Sequence, residues 1–407
     1  MGMIINIDEA LKQHATYNVL KEPLNQMLQD QQEAWEKENP IDLLFTRGTL
    51  SGFQETYTSS IGFAHAFAET SDYAVGPIFN TADGFSATYR TRTFQGGFII
   101  TQQAMEDRQM GKIKDDANAF VKRWHGDIVE YAMTAISGGF GKEVTWGDAS
   151  NGGKSRIKLT SADTASGDIN DGVKNPLFYN KHTIVKRDGM SEEDVQAKYQ
   201  SNLYYVPIDL AADDAGKIAK LADAINWVIT EMENYYDDNG KIAGVHGAKS
   251  IVAPNDARLK AALETALSME MLNDVGQALG PNPAYKRATV ATTPYLRNIP
   301  QGMNGRGFFI VDKAYNEGNH GPEFTERIPF TLNVEQEKRP YGVVYDGRQR
   351  FDINSASWRG IAYVYVGTPE GLEGAWDNVA NFTRIDAIST VSKPVAVTNV
   401  VKTKEQE

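Results

Sequence analysis

The sequence predicts an α+β fold, and three observations carry that reading. Residues 112–137 hold one long segment with the apolar period of a helix. Several short runs rich in Val, Ile, Phe and Tyr read as strands. Helices and strands then follow one another without regular βαβ alternation. At 407 residues the chain can bury a large core, and its length suggests two or three domains. It has no cysteine, which excludes a disulfide framework, a thiolate nucleophile and a cysteine metal site. The net charge of -12 argues against a protein built to grip nucleic-acid phosphates, which needs clustered Lys and Arg.

Residues 1–54 read as an arm. Leu11, Leu20, Leu24, Met27, Leu28 and Trp35 are spaced irregularly and Pro23 interrupts, so the segment cannot bury a full face of its own. The first residues lack a basic stretch followed by an apolar core, so no secretory signal is expected. No run of about eighteen apolar residues occurs, so no membrane-spanning helix is expected either. The expected compartment is the cytoplasm, or an assembly made there.

Residues 56–72 and 85–100 are rich in Thr, Tyr, Phe and Ile and read as two strands. Gly76, Pro77, Asn80, Asp83 and Gly84 supply the turn between them. The alternation is polar on one face and weakly apolar on the other, which predicts a hairpin that projects rather than joins its own chain's core. Next comes the strongest local signal. Ile113, Ala117, Phe120, Val121, Trp124, Ile128, Ala132 and Ile136 recur every three to four residues, and Ser137, Gly138 and Gly139 end the pattern.

Residues 141–206 read as an insertion of loops and short strands. A second amphipathic helix is predicted near 213–236, with Ile218, Leu221, Ile225, Ile229 and Met232 inward. Asn255 and Asp256 would cap a third, carrying Leu259, Leu263 and Leu267. Strands are predicted at 248–254, 287–296, 307–312, 328–336, 341–346, 349–354 and 361–367.

A search for chemistry returns little. Gly152, Gly153, Lys154 and Ser155 lack the glycine that a P-loop needs at 148, where Asp148 stands. Gly84, Phe85, Ser86, Ala87 and Thr88 fail the nucleophile-elbow pattern at its last position. Asp168, Asn170, Asp171 and Gly172 read as a tight turn rather than a calcium loop. The six histidines are scattered, and the adjacent acids Asp237 and Asp238 read as solvated. No catalytic residue, cofactor site or metal site is predicted.

The order of elements resembles the major capsid protein of tailed bacteriophages, the Hong Kong 97-type fold that encapsulin nanocompartments share. The resemblance is carried by residues 53–69 leading into 85–109, by the helix at 112–137, by the helix pair around 213–267, and by residues 343–367 near the C-terminus. It implies an N-terminal arm (1–54), an extended loop (55–101) that reaches over a neighbouring subunit, and a peripheral domain (102–206 and 330–367) containing the spine helix. An axial domain (207–329) and a C-terminal extension (368–407) complete it. Assembly residues would be Phe67, Tyr89, Arg90 and Arg92 in the loop, with Ile113, Phe120, Trp124 and Ile128 forming the spine helix core.

The same resemblance implies self-assembly into pentamers and hexamers of an icosahedral shell in the virion, enclosing DNA held by non-specific proximity. The partners implied are a separate scaffolding protein, a portal and a cement protein. Some members weld neighbours through a loop lysine, but residues 59–98 contain no Lys, so that weld is not expected here. An encapsulin shell, or a soluble α+β enzyme with an unrecognised site, are the competing readings.

Overall fold

The structure is a computed structural model that describes residues 4–7, 30, 33–35, 37, 39–60, 83–101, 103, 107, 110–147, 155–187, 189–210, 216–272, 280–297, 306–338, 341–367 and 382–385. Most of the expected arm, Phe67 in the loop and nearly all of the expected C-terminal extension lie outside the described residues.

In chain order the first strands are β1 (Ile4–Ile7), β2 (Thr46–Thr49), β3 (Gln54–Ser60), β4 (Asp83–Arg90) and β5 (Arg92–Thr101), followed by helix α1 (Met110–Gly138). The insertion holds β6 (Val144–Trp146), β7 (Ser155–Ile157), β8 (Thr160–Thr164), β9 (Lys174–Pro176), α2 (Glu192–Gln196) and β10 (Leu203–Val206). Then come α3 (Lys217–Glu233), β11 (Lys249–Pro254), α4 (Ala257–Ser268), β12 (Met271–Leu272), β13 (Gly280–Pro281) and β14 (Ala288–Thr293). The chain continues with β15 (Gly307–Asp312), α5 (Lys313–Asn319), β16 (Glu323–Lys338), β17 (Tyr341–Asn354), β18 (Ile361–Val366) and β19 (Thr383–Arg384). Helices and strands are mixed without a regular alternation.

Two sheets organise the molecule. The first has five strands in the order β1-β16-β17-β5, with β2 also on β16. β16 and β17 form one long antiparallel hairpin from Glu323↔Asn354 to Lys338↔Tyr341, and β5 lies antiparallel to β17. The second sheet has six strands in the order β14-β11-β15-β18-β10-β19. Its centre is β15 and β18, two fully buried antiparallel strands, which explains their near-continuous apolar sequences.

α1 has 29 residues and is about 43 Å long at ~1.5 Å per residue. Ala117, Val121, Ile128, Ala132 and Ile136 are buried as the period requires, and Phe120 and Trp124 are half-buried. Ile113 lies on the helix, but its side chain is outside the described residues. α3 buries Leu221, Ile225, Ile229 and Met232. The Asp256 carboxylate caps α4 by accepting from the N–H groups of Arg258 and Leu259 at 3.0 and 2.9 Å.

Three expectations are redrawn. Residues 85–100 form two strands rather than one. β4 pairs with β3, and the chain then passes Thr91, whose N–H donates to the Phe53 carbonyl, before β5 joins β17 in the five-stranded sheet. The hairpin is also not purely projecting: Phe85, Ala87 and Tyr89 line one face of β4 and are buried in a cluster with Leu50, Ala162 and Val185. That face is small but it alternates strictly, so it seats the root of the hairpin on its own chain.

The third concerns the domains. The expected boundary at 329/330 falls inside β16, and the six-stranded sheet draws β10 and β18 together with β11, β14 and β15. Sequence spacing alone cannot show which distant strands share a sheet.

Candidate assembly site

Two neighbouring features could serve assembly: the root of the β3–β4 hairpin, and a cleft between β5 and α1. The root is fixed from several sides. Ser59 Oγ donates to Asp238 Oδ2 at 2.6 Å, and Asp238 in turn pairs with Arg359 at 2.7 Å. The Arg90 N–H donates to Asp352 Oδ2 at 2.9 Å, and Asn354 Nδ2 donates to the Thr88 carbonyl at 2.8 Å. The Tyr57 ring stacks on His320 with centroids 4.2 Å apart and meets Tyr89 edge-on at 5.0 Å.

The electrostatics of the root follow from burial. Burial pushes Asp352 up to about 6 against the opposing pull of the Arg90 N–H and Arg92. Glu323 is also raised by burial, partly offset by His320. Glu55 behaves oppositely. The Ser51 hydroxyl and the N–H groups of Gly52 and Ser51 donate to it and hold it down at about 2.

Arg90 and Arg92, expected among the assembly residues, both have partners within the chain. The Arg90 guanidinium lies over the Phe53 ring at 5.0 Å, and Arg92 Nη1 donates to the Arg156 carbonyl at 3.0 Å. Tyr89 is fully buried and is a seat for the hairpin rather than an exposed contact.

On the other side of Thr91, α1 is laid across the five-stranded sheet by Trp124. Gly96 and Gly347 face each other across β5 and β17, and a Cβ on Gly347 would stand 3.2 Å from the indole. A side chain at Gly347 would press on the indole and on Phe330. Trp124 Nε1 donates to Gln349 Oε1 at 3.0 Å, and Gln349 Nε2 donates to Glu326 at 2.7 Å. Ile128 is buried, and Phe120 sits between Phe98 at 5.0 Å and Trp124 at 5.9 Å.

Beside this seam lies an open cleft of about 940 Å³ between β5, α1 and the β6–β7 hairpin. Phe94, Phe120, Trp124 and Trp146 line it while only half-buried, and Arg92 and Arg123 stand at its rim. His125, on another face of α1, stacks on Trp35 at 4.4 Å, and its burial pushes it down to about 4.

A buried polar cluster lies behind the root. His182 Nδ1 is 3.2 Å from Asp163, its Nε2 is 3.1 Å from Asn202 Oδ1, and its ring stacks on Trp358 at 4.0 Å. Ser161 bonds to Asp163, not to the imidazole, so the three groups are not arranged to activate a hydroxyl. Burial would raise Asp163, but His182 and the hydrogen bonds from Ser161 and Asn175 outweigh it and leave the acid lowered.

Sequence reasoning missed Asp238, Asp352, Glu323, Asp163, His182 and Arg359. Asp238 read as a solvated acid, yet it is buried because its partner lies 121 residues further on. The turn at Asp168–Gly172 is present: the Asn170 N–H donates to Asp168 and the Val173 N–H to Asp171. Gly152, Gly153 and Lys154 lie outside the described residues. Among the described residues no group of three His, Asp or Glu is placed to hold a metal, and no helix is long and apolar enough to cross a membrane.

No family model matches the chain, and no curated protein matches it. The solved structures it is similar to include those of a phage, a satellite-phage procapsid and a virus-like particle. The chain from Mycobacterium phage Patience is 16% identical, with 90% of this chain and 93% of that one covered at a TM-score of 0.43. A chain of the satellite phage P4 procapsid is 12% identical, with coverage of 83% and 91% and a TM-score of 0.44. A virus-like particle from Pyrococcus furiosus is 8% identical over 84% of this chain and 98% of that one, at a TM-score of 0.38.

Proposed function

We propose that this chain is the major capsid protein of a tailed double-stranded DNA bacteriophage, a structural subunit rather than an enzyme. The observation that carries the reading is one continuous arrangement. The β3–β4 pair is seated on its own chain, and a helix of about 43 Å follows β5, laid over a long two-stranded hairpin. Such a chain spends its longest elements on an extended frame rather than on enclosing a catalytic pocket.

In this reading, which follows the Hong Kong 97-type fold, the five-stranded sheet with α1 is the peripheral domain. The six-stranded sheet with α3 and α4 is the axial domain. Residues 1–54 are the arm, which lends β1 and β2 to the peripheral sheet, 55–101 the extended loop, which lends it β5, and 368–407 the C-terminal extension. Closed symmetry turns one repeated contact between copies into pentamers and hexamers, and these into a shell around DNA. The net charge of -12 suits a container that does not grip its polyanion. A scaffolding protein, a portal and a cement protein are the proposed partners, and the assembled virion is the proposed location.

The test is to replace residues 63–80 with a short Gly/Ser turn, which keeps β3 and β4 paired at the root. The expected product is a folded subunit that no longer assembles. Assembly at normal yield would show that residues 63–80 make no required contact.

A further inference from the structure

We propose that the outer edge of β5, where it borders the aromatic cleft, is a docking site for an extended strand of a separate polypeptide. The inference stands apart from the shell-subunit reading and needs no second copy of this chain.

β5 is the last strand of the five-stranded sheet, and one of its edges is fully engaged. Arg92 to Thr101 pair with Phe351 to Gly342 without a register shift. Among the described residues no strand pairs with the other edge of residues 92–97. In an antiparallel strand every second residue turns its N–H and C=O outward, so that edge offers backbone donors and acceptors at a fixed spacing. Sheets commonly close such an edge with Lys, Pro, a bulge or a very short strand. β5 has ten residues, and its sequence RTFQGGFIIT contains no Lys and no Pro. Thr93, Gln95 and Gly97 are exposed, and so is Ile99. The edge is kept straight and open.

The cleft supplies the side-chain half of the site. All six residues from Arg92 to Gly97 line it, so its wall is the edge of the strand and not one face of the sheet. Phe120, Trp124 and Trp146 border the same space of about 940 Å³, half-buried like Phe94. Ring contacts hold them in place: Phe94 stacks on Phe351 at 4.4 Å, and Trp146 meets Tyr131 edge-on at 5.3 Å. Gly96 and Gly97 carry no side chain, so a second backbone can come to the usual spacing of about 4.8 Å between strands.

The occupant follows from both halves. Backbone pairing requires an extended chain, and rings on one side of it require apolar residues at alternate positions, such as Val, Ile, Phe or Tyr. The rim does not ask for charge, because Arg123 is already paired with Asp127 at 2.7 Å and lies 3.6 Å from Glu130. α1 and the β6–β7 hairpin border the cleft as well. A lone strand about 20 Å long can lie beside residues 92–97, where the edge of a second folded sheet would meet those elements first. That favours a separate extended segment over the β5 edge of another copy.

The test uses a library of short synthetic peptides that alternate Thr with Val, Ile, Phe or Tyr. They are added to the full-length protein, both as free subunits and as assembled particles, and binding is read by tryptophan fluorescence and amide hydrogen exchange. Members of the library should bind, and the outward amides of 92–97 should exchange about tenfold more slowly in the complex. The tightest peptide can be N-methylated at every second residue in two ways. One should weaken binding about tenfold, the factor that 1.4 kcal/mol of pairing represents, and the other should leave it unchanged. Equal affinity for both methylated forms and the parent would show that the rings alone hold the peptide and would overturn the strand. No binding by any member would overturn the site. Amides of 92–97 already protected in particles without peptide would give the edge to a neighbouring copy and overturn the separate partner.

Discussion

The Ser59 hydroxyl donates a 2.6 Å hydrogen bond to the Asp238 carboxylate, tying β3 to a loop 179 residues further along the chain. Asp238 also neutralises Arg359, whose side chain is only 8% exposed, so the hairpin root and a buried charge share one carboxylate. The two bonds are expected to differ in weight. Asp238→Ala leaves Arg359 uncompensated and should destabilise the subunit by about 3–5 kcal/mol. Ser59→Ala removes a single hydrogen bond and should cost about 1 kcal/mol. Urea unfolding of the unassembled subunit measures both, and equal losses would contradict the shared-carboxylate account.

Asp352 gives the root a pH dependence with a definite sign. Its value rises from an ordinary 3.8 to about 6 because burial disfavours the carboxylate. The folded state therefore holds the proton more tightly than the unfolded state. This contribution is fully present below about pH 4 and is lost as pH rises through about 6. Asp163, lowered in the folded state, acts the other way at the acid end, where stability falls as its carboxylate is protonated. Asp352→Asn keeps an acceptor for the Arg90 N–H and removes the charge. It should raise the melting temperature at pH 7.5 and flatten the profile between pH 4 and 6. A steeper profile in the variant would contradict the assignment.

The glycines where β5 meets β17 separate close approach from mere proximity. A Cβ on Gly97 would stand 2.6 Å from the Tyr345 carbonyl, and one on Gly347 would stand 2.9 Å from Phe330. Gly97→Ala and Gly347→Ala should each cost about 1–3 kcal/mol. Gly96→Ala, whose Cβ meets Trp124 at 3.5 Å, should be tolerated. Thermal melts of the three variants decide this, and a Gly96→Ala loss as large as the others would contradict the packing described.

Residues 59–98 contain no Lys, and the guanidinium groups of Arg90 and Arg92 are poor nucleophiles. Boiling assembled particles in denaturant should release a single band at 45.0 kDa. A ladder of covalent multimers would show a weld elsewhere in the chain.

The legible parts of this fold were those whose signal is local. α1 announced itself through Ala117, Val121, Ile128 and Ala132, and the central strands through the unbroken apolar runs at 307–312 and 361–366. Partnership between distant segments left no such trace. Nothing in residues 85–100 marks Thr91 as the point where one sheet ends and another begins, since both halves have strand-like composition. Polar residues misled for a related reason. Asp238 and Asp352 are chemically indistinguishable from solvated turn acids until Arg359 and the Arg90 N–H come together with them. The glycines at 96 and 347 likewise gained meaning only once Trp124 lay over them.

The central claim is that the subunit closes into a shell, and electron microscopy of the purified full-length protein tests it most directly. The account predicts uniform closed particles, or the five- and six-membered rings from which they are built. A monodisperse population of single 45.0 kDa subunits, under conditions where α1 and both sheets are folded, would contradict it.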